Sequence, residues 1–339
     1  MDVDTQVKRI PEHWFDDGNI VLQAGNSQFR VYRGILAARS TVFQDMLSLP
    51  QPPDSELVDG CPTVRLPDSE RDVTVFLRAV FDSSFFMPFP TRTTFNIVKG
   101  YLRLGNKYGV DYLFRRALIH MSAAYTTTLS SWDQDLVHIF EDESNGLELA
   151  TVTWERPDEA TYRIFFIQLI REVNALWLLP DAFYCLSPYF EELRSEIIHG
   201  GTYEDEPTSL SIEDQTAFLK GHEVQAQSTT TDILRFLSHP PLIQGCVSSV
   251  ACNRARLLAI DRCRGAIRDN PGRPLTIWDD KSWKRLDVCS TCLASMKKMH
   301  QADRQAFWDK LPEIYGLPPW NELEKMKVDA IGTPSEWFS

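Results

Sequence analysis

The 339-residue chain has no run approaching the roughly 18–20 apolar residues that a membrane span needs. The stretch MDVDTQVKRIPEHW has no apolar core of the kind a secretory leader carries. Positive charge is also in short supply. Lys and Arg number 35 against 47 Asp and Glu, a formal net charge of −12, which repels phosphate backbones and anionic lipid surfaces. There is no G-x-S-x-G elbow, no phosphate-binding P-loop and no G-x-G-x-x-G. No H-x-x-x-H pair occurs among His13, His120, His138, His199, His222 and His239, so they read as surface or capping residues. Gly200-Gly201 alone reads as a helix stop. Cysteine is scarce and odd in number, seven, which predicts reduced thiols rather than a disulfide framework. These absences predict an intracellular protein, cytoplasmic or nuclear and not secreted, with no direct nucleic-acid partner and no membrane partner.

What is present begins at Asp16. Asn19-Ile20-Val21-Leu22 is a short strand-like run, Gly25-Asn26-Ser27 carries turn chemistry, and Phe29-Arg30-Val31-Tyr32 alternates, which together predict a hairpin. Ile35, Val42 and Met46, with Leu36 and Phe43 beside them, then fall at helical spacing and predict a buried helix. Val73, Phe76, Leu77 and Val80 repeat that spacing behind a cap at Asp68 or Ser69. Ile97, Tyr101, Leu104 and Tyr108 form a further stripe that stops at Gly109, and Val110, Leu113, Phe114, Ala117, Leu118 and Met121 form the clearest amphipathic pattern in the chain. Val31, Leu36, Phe43, Phe76, Leu77, Leu102, Leu113 and Leu118 are the expected core.

Asp17, Phe29-x-Val31 followed by Arg33, Leu36-x-x-x-Ser40-x-x-Phe43, Val64-x-Leu66 and the later helices to Met121 together resemble the BTB (POZ) domain. The resemblance covers residues 10–125. It departs at Tyr32, where the family usually carries His, and at Ser83–Pro90, which is longer and more apolar than the usual link. Leu176-Trp177-Leu178-Leu179-Pro180 and the stretch Leu311–Trp320 resemble fungal BTB-containing proteins with a helical C-terminal region. The resemblance implies an α+β fold, a small sheet flanked by helices, with a mostly α-helical region following it. It also implies a non-catalytic protein-interaction role: self-association as a homo-oligomer, and partner recruitment as a scaffold or adaptor. Family members serve as adaptors for a cullin-type ubiquitin-ligase scaffold or act in transcriptional regulation.

Beyond residue 125 the pattern predicts a helical region over 126–320 and a frayed tail over 321–339. Thr126-Thr127-Thr128 leads into a short helix, and Glu141–Gly146 reads as an acidic loop. Phe166, Ile170, Val173 and Trp177 predict a helix ended by Pro180. Leu186, Phe190, Leu193 and Ile197 predict another, broken by Pro188. Residues 200–212 read as a polar linker, Pro240-Pro241 and Asn270–Pro274 as interruptions, and Pro312–Trp320 as an extended arm. Trp278, Trp283, Phe307, Trp308 and Trp320 read as core. Arg254, Arg256, Arg262, Arg264, Arg268 and Arg273 alternate with acidic residues and read as a solvated surface. Asp16-Asp17 and Asp279-Asp280 read as caps and turn formers.

Two constellations carry chemistry. Cys289-Ser290-Thr291-Cys292 has the C-x-x-C spacing that lets two thiolates share one tetrahedral ion, and Cys246 and Cys252 could complete a structural zinc site, with Cys263 or His300 in reserve. Buried apolar cysteine is the simpler use of those residues. A cysteine-dependent hydrolase would need one of these thiols beside a base such as His300 in an open cleft. Phe85-Phe86-Met87-Pro88-Phe89-Pro90 would be a partner-binding patch if displayed, with Phe85, Phe86, Met87 and Phe89 as its contacts, and a piece of the domain's own core if not.

Overall fold

The computed structural model describes residues 7–49, 56–134, 153–154, 156–238, 243–269 and 272–337. The acidic stretch Glu141–Gly146, Pro240-Pro241 and Asn270-Pro271 lie outside the described residues. The chain divides into two compact units, one holding Met1–Ala124, Glu141–Arg156 and Val328–Ser339, the other Tyr125–Phe140 and Pro157–Lys327. No helix among the described residues is long and apolar enough to cross a membrane.

The first unit is built on a five-stranded sheet in the order β1-β3-β2-β5-β4. Its strands are β1 (Lys8–Trp14), β2 (Ile20–Ala24), β3 (Ser27–Val31), β4 (Leu57–Val58) and β5 (Cys61–Leu66). Ile20, Val21 and Leu22 have no exposed surface, as their unbroken apolar run requires of a central strand covered on both faces. The hairpin forms as expected, Ile20 opposite Val31 and Ala24 opposite Ser27, with Gly25 at φ 55° in the turn. β2 also runs parallel to β5, so the chain between them must cross over, and two helices do this. The edge strand β1 pairs parallel with β3 and shifts register between Arg9 and Trp14. That irregularity and the edge position accommodate Pro11, which hides this strand from a pattern search.

The single helix expected after the hairpin is two: α1 (Arg33–Arg39) and α2 (Thr41–Ser48), separated by Ser40 in extended conformation. The break re-aims the pattern. Leu36, Phe43 and Leu47 turn inward, while Ile35 and Val42 stay exposed. α3 (Glu70–Phe81) is capped by Ser69, which accepts the Asp72 amide at 3.1 Å. Asp68 instead accepts from Lys107 and from the Tyr108 hydroxyl, both at 2.5 Å. α4 (Phe95–Lys107) ends at Gly109, whose φ of 62° only glycine adopts without strain, and α5 (Asp111–Ala124) follows at once. All eight expected core residues are buried, none more than 2% exposed.

Two late segments complete this unit. Thr153 accepts the Thr93 amide at 2.8 Å, and the Trp154 indole donates to the His120 carbonyl at 3.0 Å. Arg115 donates to the Ile331 carbonyl at 2.8 Å, and Trp337 meets Phe89 edge-on at 5.9 Å. The frayed tail over 321–339 is therefore corrected. A helix spans Trp320–Ile331, Leu323 and Ile331 are fully buried, and Thr333 caps a last helical turn. Burial of Ile331 and Trp337 holds this end in packed contact.

The second unit is helical. Tyr162–Glu172 buries seven of its eleven residues, all apolar or aromatic, which marks it as central. It stops at Glu172 rather than at Pro180. Pro180 occupies the first turn of the next helix, Leu179–Leu186, where its missing amide costs nothing. Pro188 sits in a 3₁₀ turn that separates this helix from Phe190–His199. The expected linker over 200–212 contains a hairpin, Gly201–Tyr203 with Glu206–Thr208, turned by Glu204 and Asp205 at positive φ. Ile212–Ser228 follows, and its Gly221 lies so close to Tyr315 that an added Cβ would sit 2.3 Å from the ring. Tyr315 donates to Gln225 at 2.6 Å, and Gln225 donates to the Gly272 carbonyl at 2.6 Å. Pro312 lies inside the helix Ser290–Ile314, so the extended arm is also corrected. Trp320 opens the following helix, stacks on Trp308 at 5.5 Å and donates to its carbonyl.

Candidate functional site: an apolar helix face and a cluster of four thiols

Ser40 organises the first site. Its hydroxyl accepts the Phe43 amide at 3.0 Å, capping α2, and donates to the Tyr108 carbonyl at the end of α4. Phe43 then stacks on Tyr108 at 4.6 Å, with Phe76 behind. With the inner face pinned, the outer face of α1 and α2 leaves apolar side chains partly exposed among the described residues. Ile35 is 39% exposed, Val42 41% and Tyr112 of α5 40%. They belong to one surface. Arg39, one helical turn after Ile35, lies over the Tyr112 ring at 5.8 Å, and Val42 abuts Gly109, three residues before Tyr112.

At the start of α1, the Tyr32 hydroxyl donates to Asp17 at 2.5 Å, and Asn19 accepts the Arg33 amide at 2.8 Å. The aspartate beside it raises the Tyr32 phenol above its ordinary pKa. Compared with known protein families, residues 12–123 match the BTB/POZ domain. This segment is a BTB/POZ domain. No curated protein and no solved structure matches the chain. BTB domains are non-catalytic modules that bind proteins and form oligomers.

The apolar loop of the BTB domain is not the displayed patch that a partner-binding role required. Phe86 is buried against Tyr101 at 4.5 Å and His120 at 5.1 Å, and Arg116 donates to its carbonyl. Phe85 lies under the Arg78 guanidinium, and Phe89 meets the edge of His120. Met87 alone of the four is exposed. Aromatic burial wins here because α4 and α5 leave a cleft that the longer loop fills. His120 holds the loop from inside, between the Met87 carbonyl at 3.2 Å and Thr153 Oγ1 at 2.6 Å, and burial lowers its pKa to about 4. Nothing in the sequence singled His120 out, because its partner Thr153 is remote along the chain.

The second site lies in the helical unit. Cys252 is in the first turn of the helix Ser249–Asp269 and Cys246 just precedes it. Cys289 immediately precedes the helix Ser290–Ile314, and Cys292 lies in its first turn. The four sulfurs all lie within 4.8 Å of one another, although the two pairs are far apart in sequence. Cys252 and Cys292 are buried, and Cys246 and Cys289 half-buried. The Cys289 amide donates to Cys252 Sγ at 3.3 Å, and Cys289 and Cys246 sulfurs are 4.0 Å apart. Amide donors from Cys292 and Val247 lower the Cys289 thiol to about 6, and burial pushes Cys292 up.

The reserve ligands are elsewhere. Cys263 is packed among Leu234, Phe236, Ala259 and Met296. His300 is wedged against Phe236 at 5.3 Å and Trp283 at 5.5 Å, with its Nε2 buried and unpartnered among the described residues. Burial lowers its pKa to about 4. A hydrolase pairing of these thiols with His300 is therefore not assembled. Of the arginines, Arg254, Arg262, Arg264, Arg268 and Arg273 are exposed, and Arg264 pairs with Asp261 at 3.5 Å. Asp279 caps Asp280–Lys284 through the Ser282 amide at 2.8 Å, the role expected of it.

Proposed function

We propose that this chain is a self-associating adaptor: the BTB domain pairs with a second copy through the outer face of α1, α2 and α5, and the assembled chain recruits a protein partner. The observation that carries the reading is the set of apolar side chains Ile35, Val42 and Tyr112, each about two-fifths exposed on α1, α2 and α5. Apolar side chains held on preorganised elements gain from being covered by a matching surface, and a two-fold pairing lets one patch serve both copies. Arg39 across the Tyr112 ring supplies a polar rim.

BTB domains commonly interact with cullin-3, so a cullin-type ubiquitin-ligase scaffold is the first partner to test for recruitment. The self-association test is light scattering on the full chain across a concentration series. A dimer is expected for the natural sequence and a monomer for the Ile35→Asp/Val42→Asp double variant, with unchanged helix content by circular dichroism. A natural chain that stays monomeric at every concentration refutes the reading.

A further inference from the structure

We propose that Cys246, Cys252, Cys289 and Cys292 form a closed tetrathiolate site that holds one zinc ion as a structural cross-link. A tetrahedral zinc with sulfurs at about 2.3 Å places those sulfurs roughly 3.8 Å from one another. Here Cys289 and Cys246 are 4.0 Å apart and no pair exceeds 4.8 Å, so less than about 1 Å of closure completes the tetrahedron. Sulfurs this close leave no room for the irons and sulfides of a cluster, which favours a single ion. All four positions are taken by protein, so no open position remains for substrate, and the site is structural rather than catalytic.

The surroundings are those of a bound anion. Zinc displaces the protons that remain on the four thiols to solvent, leaving a centre of net charge −2. The Cys289 amide already points at the Cys252 sulfur, and the sulfurs gather where two helices begin, the ends that favour negative charge. Arg256 supplies an independent observation. Its Nε and Nη1 are buried without a hydrogen-bond partner among the described residues, and its charge couples to Cys292. A guanidinium with orphaned buried donors is explained by a thiolate centre beside it.

The cross-link also answers a structural need. The helix Ser249–Asp269 packs Ala259, Cys263 and the half-buried Ile260 and Ile267 against the core through its later turns, whereas its start leaves Val250 mostly exposed and buries little beyond Cys252 and Ala255. A metal shared with the start of Ser290–Ile314 fixes its first turn.

The site lies outside residues 12–123 and is independent of the self-association reading: a monomeric chain carrying one zinc refutes that reading alone. The test uses the full chain purified with reductant, analysed for zinc and iron by plasma mass spectrometry. One zinc per chain is expected, lost in Cys289→Ser/Cys292→Ser and kept in Cys185→Ser. Because the double variant could misfold, the metal-stripped natural chain is also titrated with Co²⁺. One equivalent should produce the visible bands and sulfur-to-cobalt charge transfer of a tetrahedral tetrathiolate, and Zn²⁺ should abolish them. Stoichiometric iron, an intact mass showing these cysteines as disulfides, zinc retained by the double variant, or cobalt without a tetrahedral spectrum would each overturn the proposal.

Discussion

Replacing Phe43 by Ala and, separately, its neighbour Val42 by Ala separates the two faces of α2 more sharply than any other pair of changes. Phe43 has no exposed surface and packs against Tyr108 at 4.6 Å and Phe76 at 6.5 Å, rings that also meet each other at 5.5 Å. An aromatic side chain buries about 150–250 Å², and at about 25 cal/mol per Å² this is on the order of 4–6 kcal/mol. Ala retains part of that, and the cavity left beside the two rings adds to the cost, so about 3–5 kcal/mol is expected for Phe43→Ala. Val42 is 41% exposed and lies at the surface beside Gly109, so Val42→Ala should change stability by no more than about 0.5 kcal/mol. Because the chain has two compact units, native-state hydrogen exchange read on peptides from α2 and α4 is the right assay, since it reports the opening of this unit by itself. Protection there should fall by about two to four orders of magnitude for Phe43→Ala and stay within a factor of about three for Val42→Ala. Equal losses in the two variants would refute the assignment of inner and outer faces.

Three further outcomes follow from named contacts. Ser40→Ala removes both the cap on Phe43 and the bond to the Tyr108 carbonyl and should cost about 1–2 kcal/mol by the same exchange assay, with Ser40→Thr recovering most of it. His120 has a folded pKa of about 4 against 6.5 unfolded, so the unfolded chain takes up the proton first. Its stabilising contribution is complete above about pH 6.5, declines as pH falls, and is spent near pH 4, a loss on the order of 3 kcal/mol that His120→Gln should flatten in exchange measured across that range. Gly221→Ala should lower the thermal midpoint although Ala is the better helix former by about 1 kcal/mol, because the new methyl would meet the Tyr315 ring. A raised midpoint would show that the ring can move aside.

The BTB hairpin, the caps at Ser69 and Asp279, the stop at Gly109 and the stripes of α3 to α5 were all legible in the amino-acid order, because turn chemistry and helical periodicity act over a few residues. So was the C-x-x-C half-site. Other elements misled for equally local reasons. Pro11 concealed β1, Pro180 read as an end when it begins a helix, and Glu204-Asp205 gave no sign of a hairpin because non-glycine residues at positive φ leave no compositional trace.

Tertiary structure decided what periodicity could not. Ile35, Val42, Leu36 and Phe43 are equally apolar, and only the extended Ser40, tied to a carbonyl 68 residues away, sends one pair inward and leaves the other at the surface. Phe86 and Met87 are likewise neighbours with opposite fates, set by the cleft beside His120. Cys246 and Cys252 have no meaningful spacing to Cys289, yet the fold brings all four sulfurs within 4.8 Å. Sequence fixes what each side chain can do over short range. Which long-range partner it meets depends on how whole elements pack, and it is there that an apolar residue becomes core or surface, and a cysteine becomes filler or ligand.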